Sequence, residues 1–243
     1  MQKREQNKRR EERQLLKIDI LSLFPGYFRG PFDESILKRA QEKGLIELNL
    51  IDIRDFAKGK HSRVDDRPYG GGPGMVLMAE PVTNAIQASR RENSHVVCLS
   101  PQGTPLTARK CEELASFEHL ILLCGHYEGI DQRVLDAEVD EEISIGDYVL
   151  TNGCLPAMVL VDGVSRFVPG VLGHHEAAAS DSFQEGGFDW PHYTRPEEFN
   201  GRRVPEVLLS GNHQKIAAWR KEKAQEKTKQ IRPDLSLGEE TIR

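Results

Sequence analysis

Two adjacent stretches decide the fold class: His95-Val96-Val97-Cys98-Leu99-Ser100-Pro101-Gln102-Gly103, and Leu120-Ile121-Leu122-Leu123-Cys124-Gly125-His126-Tyr127-Glu128-Gly129. Each is a short apolar run that stops at a glycine-bearing turn. Each such run reads as a short apolar strand. Between the two, Thr107 stands where a hydroxyl caps the first turn of a helix expected to reach Ser116. The unit then repeats. A short helix is expected near Asp131 to Ala137, a third strand from about Val139 to Ile145, a glycine loop from Gly146 to Gly153, and a helix from Pro156 to about Val164. Strand, glycine loop and helix, three times over, define an α/β fold with a parallel sheet. Ligands of such sheets bind beyond the carboxyl ends of the strands, so the three loops are expected to converge on one pocket.

Toward the N-terminus, Lys17 to Leu23 reads as the first strand, with Ile18, Ile20 and Leu21 toward a buried face. A helix is expected over Ser35 to Lys43 and a second strand over Leu45 to Ile53. Ala57 to Gly74 is polar and glycine-rich and reads as one long loop, followed by a helix from Glu80 to Arg91 with Pro81 in its first turn. Toward the C-terminus, Phe167 to Trp190 is loop-like. Pro205 to Arg220 opens a second, helical domain, with Ser210-Gly211-Asn212 as a helix start.

Composition bounds the classes. At 243 residues the chain holds one large domain, or one domain and a satellite. A net charge of −5 argues against a protein that coats nucleic acid indiscriminately. The charge is uneven, with basic stretches at Met1 to Arg13 and Lys215 to Arg232; a solvated surface and a local RNA-binding patch both remain open. No apolar run approaches the roughly 20 residues of a membrane span, and Met1 to Arg13 has no apolar core of a secretory signal, so a cytoplasmic location is expected. Cys98, Cys111, Cys124 and Cys154 form no C-x-x-C pair and are expected to be buried free thiols.

Several groups are candidates for chemistry. Tyr69 to Met75 (YGGGPGM) lacks both the Lys-Ser/Thr of a phosphate loop and dinucleotide spacing. It is either a flexible turn or a place where backbone approaches a ligand or another chain. Gly103, Gly125, Gly129, Gly146 and Gly153 leave room for a flat purine whose edge backbone groups can read. Arg166 and Asp181 bracket a polar loop whose ends are both expected beside the pocket. There a carboxylate can take a proton from a nucleobase and an arginine can stabilise the resulting charge; the plainer reading of such an Asp is a cap or a solvated charge. His174-His175 is read as a non-ligand pair, because adjacent residues rarely converge on one ion.

Read together, YGGGPGM at Tyr69, LSPQG at Leu99, CGHYEGID at Cys124, SIGDYVLT at Ser144, RFVPGVLG at Arg166, DSF at Asp181, PHYTRP at Pro191 and VPEVLLSGNH at Val204 resemble the bacterial tRNA (guanine-N1)-methyltransferases, the TrmD family. The resemblance covers about Lys17 to Arg220. It implies a SPOUT-type parallel sheet with a deep trefoil knot in residues 17–172, a flexible interdomain loop over 173–190 that carries the catalytic Asp, and a helical tRNA-binding domain over 191–243; residues 1–16 read as a polar extension outside the family's usual start. It implies a homodimer with the active site at the subunit interface, and methyl transfer from S-adenosylmethionine to N1 of guanosine at position 37, beside the anticodon. The cofactor residues carried over are Leu99, Ser100, Pro101, Gly125, Tyr127, Glu128, Ile145, Gly146, Asp147, Tyr148, Val149, Leu150, Gly153 and Pro156. Asp181 is the implied general base, and Arg166 the group that stabilises charge on guanine O6. Gly71, His192, Arg195, Arg202 and Lys215 are the implied contacts to the tRNA anticodon stem-loop. Some members depend on magnesium, and this sequence shows no ligand set for it. Two residues depart from the family pattern, Asn152 and Cys154, where Gly and Glu are expected. Asn tolerates left-handed backbone, which would let the loop form.

Overall fold

The computed structural model describes residues 15–59, 62–173, 181–184 and 186–236. The expected polar extension, apart from its last two residues, and the His174-His175 pair lie outside them. The chain divides into two compact units, Met1–His174 and His175–Arg243.

In chain order the strands of the first unit are β1 (Leu16–Ser22), β2 (Ile46–Asp52), a short pair β3 (Asp65–Asp66) and β4 (Val76–Leu77), then β5 (Ser94–Pro105), β6 (His119–Cys124) and β7 (Glu141–Ser144). The helices are α1 (Ser35–Glu42), α2 (Ala79–Ser89), α3 (Ala108–Leu114), α4 (Gln132–Glu138) and α5 (Cys154–Ser165). Five strands make one sheet in the order β2-β1-β6-β5-β7, and every pairing in it is parallel.

Both faces of this sheet are covered. Leu120, Leu122 and Cys124 of β6 enter a core shared with α1, α3 and α5. Ile121 and Leu123 enter a second core shared with α2 and α4. The alternation of a strand is therefore present, but both sides are apolar, which is why the sequence reads as an unbroken run. The same division corrects the reading of β1. Ile18 and Ile20 enter the first core, whereas Leu21 enters the second. Helix α5 is the central brace of the first face, with Ala157, Leu160, Val161 and Val164 fully buried. Truncating Leu160 to Ala there is expected to cost about 2–5 kcal/mol.

Two further expectations are corrected. Ser100 to Gly103 is not the end of its strand. The β5–β7 ladder shifts register between Leu99 and Thr104 and then resumes, so these four residues bulge out of a continuing strand. Within the expected loop Ala57 to Gly74, Asp65 and Asp66 pair antiparallel with Val76 and Leu77.

The second unit holds a hairpin of β8 (Glu198–Phe199) and β9 (Arg202–Arg203), then helices α6 (Glu206–Leu209), α7 (His213–Ile231) and α8 (Pro233–Ser236). Asn212 starts α7 as expected, its side chain accepting the Lys215 N–H at 3.1 Å. The segment before the hairpin lies along this helix. The Phe188 N–H donates to Thr228 Oγ1 at 2.8 Å, and the Arg220 guanidinium covers the Trp190 ring at 4.8 Å. Among the described residues, no helix is long and apolar enough to cross a membrane.

Candidate active site

The carboxyl ends of β5, β6 and β7 frame one cavity of about 380 Å³, within the range of small-molecule sites. Its first lip is the bulge at Ser100 to Gln102. The second begins at Gly125, where His126 and Tyr127 follow β6, Tyr127 with φ of 61°. The third leaves β7 as a tight turn. Ser144 Oγ donates to the Gly146 carbonyl at 3.0 Å, and the Tyr148 N–H returns to the same carbonyl at 2.9 Å.

The second and third lips are stitched together. The Gly153 N–H donates to the Gly125 carbonyl at 2.8 Å, and His126 bridges Asn152 in antiparallel fashion. A β-carbon on Gly153 would stand 2.8 Å from Cys124 Cα, so only glycine permits this approach. Asn152 accepts the Cys154 N–H at 2.8 Å and so helps start α5. It keeps an ordinary negative φ, and the left-handed geometry expected of it is not used.

The Tyr69 to Met75 segment is tied to the same place. The Glu128 N–H donates to the Met75 carbonyl at 3.0 Å and the Leu77 N–H to the Gly129 carbonyl at 2.9 Å. Gly74 packs so closely on the Glu128 side chain that a β-carbon would overlap it. The close approach here is to the Glu128 loop of the same chain, whereas β-carbons at Gly70, Gly71 and Gly72 would meet nothing within 4 Å.

The cavity has a definite electrostatic character. Apolar walls come from Leu99, Ile130, Leu135, Ile143 and Pro156, and the charged lining groups are the carboxylates Glu128 and Glu142. No lysine or arginine is among the described lining residues. Burial, and then the nearby Arg54 guanidinium, hold the His126 imidazole below its usual range, so it is neutral at pH 7. A site of this kind suits a cation on an apolar ring body and disfavours pyrophosphate. S-adenosylmethionine, whose sulfonium and ammonium outnumber its one carboxylate and whose adenine is flat and weakly polar, is compatible with that lining.

Of the residues expected to hold the cofactor, all but Asp147 line this cavity; Asp147 is exposed outside it. Gln102, His126, Ile130, Thr151 and Asn152 line it as well and lie within a few residues of an expected lip. Arg166 is not among the residues that line the cavity. It follows the last residue of α5, whose first turn faces the cavity, and twelve residues of helix rise about 18 Å. Arg166 therefore does not line the cavity of its own chain. Asp181 belongs to the second unit and opens a tight turn there. His192, Arg195, Arg202 and Lys215 are exposed on the second unit, and Gly71 is exposed on the first. Among the described residues no group of three or more His, Cys, Asp or Glu side chains is arranged to hold a metal ion.

Fold and cavity together define a parallel-sheet α/β protein with a nucleoside-sized, acid-lined site at its strand ends. Residues 16–238 match the profile of the family described as tRNA (Guanine-1)-methyltransferase TrmD. The chain is 71% identical over 218 residues to the tRNA (guanine-N(1)-)-methyltransferase of Protochlamydia amoebophila (strain UWE25), covering 90% of this chain and 98% of that one. It is 60% identical over 223 residues to the protein of the same name from Chlamydia pneumoniae, covering 92% of this chain and 62% of the relative. For Chlamydia trachomatis serovar D the identity is 60% over 222 residues, covering 91% of this chain and 63% of the relative. The chain thus spans about three fifths of those two chlamydial relatives. It belongs to the TrmD family of tRNA (guanine-N1)-methyltransferases.

Proposed function

We propose that this protein methylates N1 of guanosine 37 of tRNA, beside the anticodon, using S-adenosylmethionine. The observation that carries the cofactor reading is the cavity at three strand ends, lined by Glu128 and Glu142 and by no described lysine or arginine. S-adenosylmethionine supplies an electrophilic methyl group on a positively charged sulfur. The tRNA and the guanine N1 atom come from the names carried by the relatives.

A neutral guanine N1 is a poor nucleophile because a proton occupies its lone pair. Asp181 takes that proton as N1 bonds to the methyl carbon, and the electron pair of the broken C–S bond stays on sulfur. Base catalysis of this type contributes about 10²–10⁴-fold. Arg166 stabilises negative charge that spreads to O6. His192, Arg195, Arg202 and Lys215 hold RNA phosphates and Gly71 admits the anticodon loop, from which the target base is splayed.

The fold is of the SPOUT type, with a deep trefoil knot at the cofactor loops; the all-parallel five-stranded sheet and the family match support it. The active protein is a cytoplasmic homodimer. Arg166 stands a helix length from its own cavity, so a second copy is the natural source of the group that meets the guanine. Leu155 and Val159, one turn apart on α5 and 42% and 49% exposed, leave apolar surface for it. The domain reading also stands as a proposal: a methyltransferase domain over 17–172, an interdomain loop over 173–190 and a tRNA-binding domain over 191–243.

The test is transfer of labelled methyl from S-adenosylmethionine to two tRNA transcripts, with guanosine or adenosine at position 37. Label on the guanosine transcript alone is expected. No label on either, with S-adenosylmethionine still bound, would overturn the substrate assignment.

A further inference from the structure

Asp181 is followed by a turn closed on itself. Ser182 Oγ donates to Asp189 Oδ1 at 2.6 Å and accepts the Asp189 N–H at 3.0 Å, a reciprocal pair between residues seven apart. Within the turn the Gln184 N–H returns to the Asp181 carbonyl at 3.3 Å, and the Phe183 N–H donates to the Gly187 carbonyl. Phe183 is held at φ of 78°, a conformation an aromatic residue keeps only where its surroundings fix it. The far side of the turn is anchored to α7. Phe188 N–H donates to Thr228 Oγ1 at 2.8 Å, and that buried hydroxyl donates to the Ala224 carbonyl at 2.8 Å. The second oxygen of Asp189 lies 3.1 Å from His192 Nε2.

We propose that Asp189 is a positioning residue for methyl transfer: by holding Ser182 it fixes the backbone from which the neighbouring Asp181 carboxylate projects. This rests on the reading of Asp181 as the general base.

The geometry separates the two carboxylates by role. Asp189 spends one oxygen on Ser182 and the other on His192. The Ser182 hydroxyl, outweighing burial and aided by His192, holds the Asp189 carboxyl below the usual carboxylate range. A group so engaged is a weak base, since a working base has a pKa near the working pH. It is instead a good clamp. Asp181 is the residue directly before the clamped serine, so rotation of the Ser182 backbone swings its side chain. Orientation of a catalytic group within a fraction of an ångström is where a remote clamp acts on rate and not on affinity.

The experiment measures single-turnover methylation of a guanosine-37 transcript by the full chain against pH. Dissociation constants for the transcript and for S-adenosylmethionine are measured in parallel. Asp189→Ala is expected to lower the saturated rate about 10–100-fold with both constants within about twofold, and to leave the pH midpoint in place. Asp189→Asn should recover most of the rate, because its amide oxygen still accepts from Ser182. Ser182→Ala should lose about as much as Asp189→Ala, and the double variant little more, since both remove the Ser182 Oγ–Asp189 Oδ1 bond. A full saturated rate with weakened transcript binding would make Asp189 a binding residue acting through His192, and the proposal would fall. Loss of the pH dependence in Asp189→Ala, with Asp181→Ala still active, would make Asp189 itself the base. Near-normal turnover of Asp181→Ala, whatever Asp189 does, would remove the base reading beneath the proposal.

Discussion

The carboxylate of Asp19 and the imidazole of His119 lie 3.1 Å apart inside the sheet, with their side chains only 5% and 3% exposed. Ser94 Oγ is 2.7 Å from His119 Nδ1, and Asn49 Nδ2 donates to Asp19 at 2.9 Å. The cluster joins the amino ends of β5 and β6 to β1 and β2, at the opposite end of the sheet from the cavity.

This cluster gives stability a pH dependence whose sign is fixed. Burial pushes the Asp19 carboxyl up, but the His119 imidazole and the Asn49 amide outweigh it and hold it below its usual value. The stabilisation is therefore complete above the unfolded-chain value of about 3.9, and is lost as pH falls through the folded one. The melting temperature is expected to drop steeply below about pH 4 in the native protein and less steeply in Asp19→Asn. That variant should cost about 1–3 kcal/mol at neutral pH. Parallel pH profiles for the two proteins would remove Asp19 from this role.

Gly125 and Gly153 meet in one hydrogen bond but should respond oppositely to substitution. A β-carbon at Gly125 would make ordinary contacts, 3.8 Å from Ile130 Cδ1 and from the Leu99 carbonyl. Gly125→Val should therefore fold while filling the cavity floor, weakening S-adenosylmethionine binding at least about tenfold by calorimetry. Gly153→Ala instead drives a methyl onto the Cys124 backbone and should lose about 1–3 kcal/mol of stability before any question of ligand. Unchanged affinity in Gly125→Val would displace Gly125 from the floor.

All four cysteines are free and buried. Burial pushes Cys98 up to about 12 and Cys111 to about 11. Cys154 is brought to about 7, first by the Cys124 thiol and also by Ser22, against its own burial. Ionisation favours its reaction and inaccessibility forbids it, at 1% exposure. Labelling with an aromatic disulfide should find no rapidly reacting thiol in the folded protein and four after unfolding. Any slow native reaction should appear at Cys154, reporting opening of the first turn of α5, and S-adenosylmethionine should slow it.

Arg202 and Lys215 are exposed cations of the second unit. Replacing either by Ala should weaken tRNA binding at every sequence tested and lower the salt slope by about 1, with S-adenosylmethionine affinity unchanged. An unaltered salt slope would take that residue off the RNA.

The layered fold was legible because β5 and β6 are short apolar runs and Thr107 caps the helix between them. The cavity followed, since parallel strands deliver their loops to one edge. Asp19 was not legible. One polar residue in an apolar run reads as facing solvent until β6 places His119 against it. The β8–β9 hairpin does carry a sequence signal in Asn200-Gly201, both residues having positive φ as such a turn requires. Arg166 closes α5, and the sequence alone does not say which cavity it serves, because a helix end can face its own chain or another. The Ser182–Asp189 clasp has no pattern of its own, because a serine and an aspartate seven apart become partners only through the turn between them.

The bond from Gly153 to Gly125 closes an excursion that includes α4 and β7. The cavity therefore does not exist in a partly folded chain. Its walls meet only after the intervening helix and strand have docked, and closing a loop of that length opposes the meeting. Whatever occupies the cavity binds finished molecules alone and reinforces the closure that made it, by an amount that grows with its concentration. Scarcity of the occupant then acts twice: it slows turnover, and it removes a brace from the fold, so that the quantity of enzyme falls along with its rate.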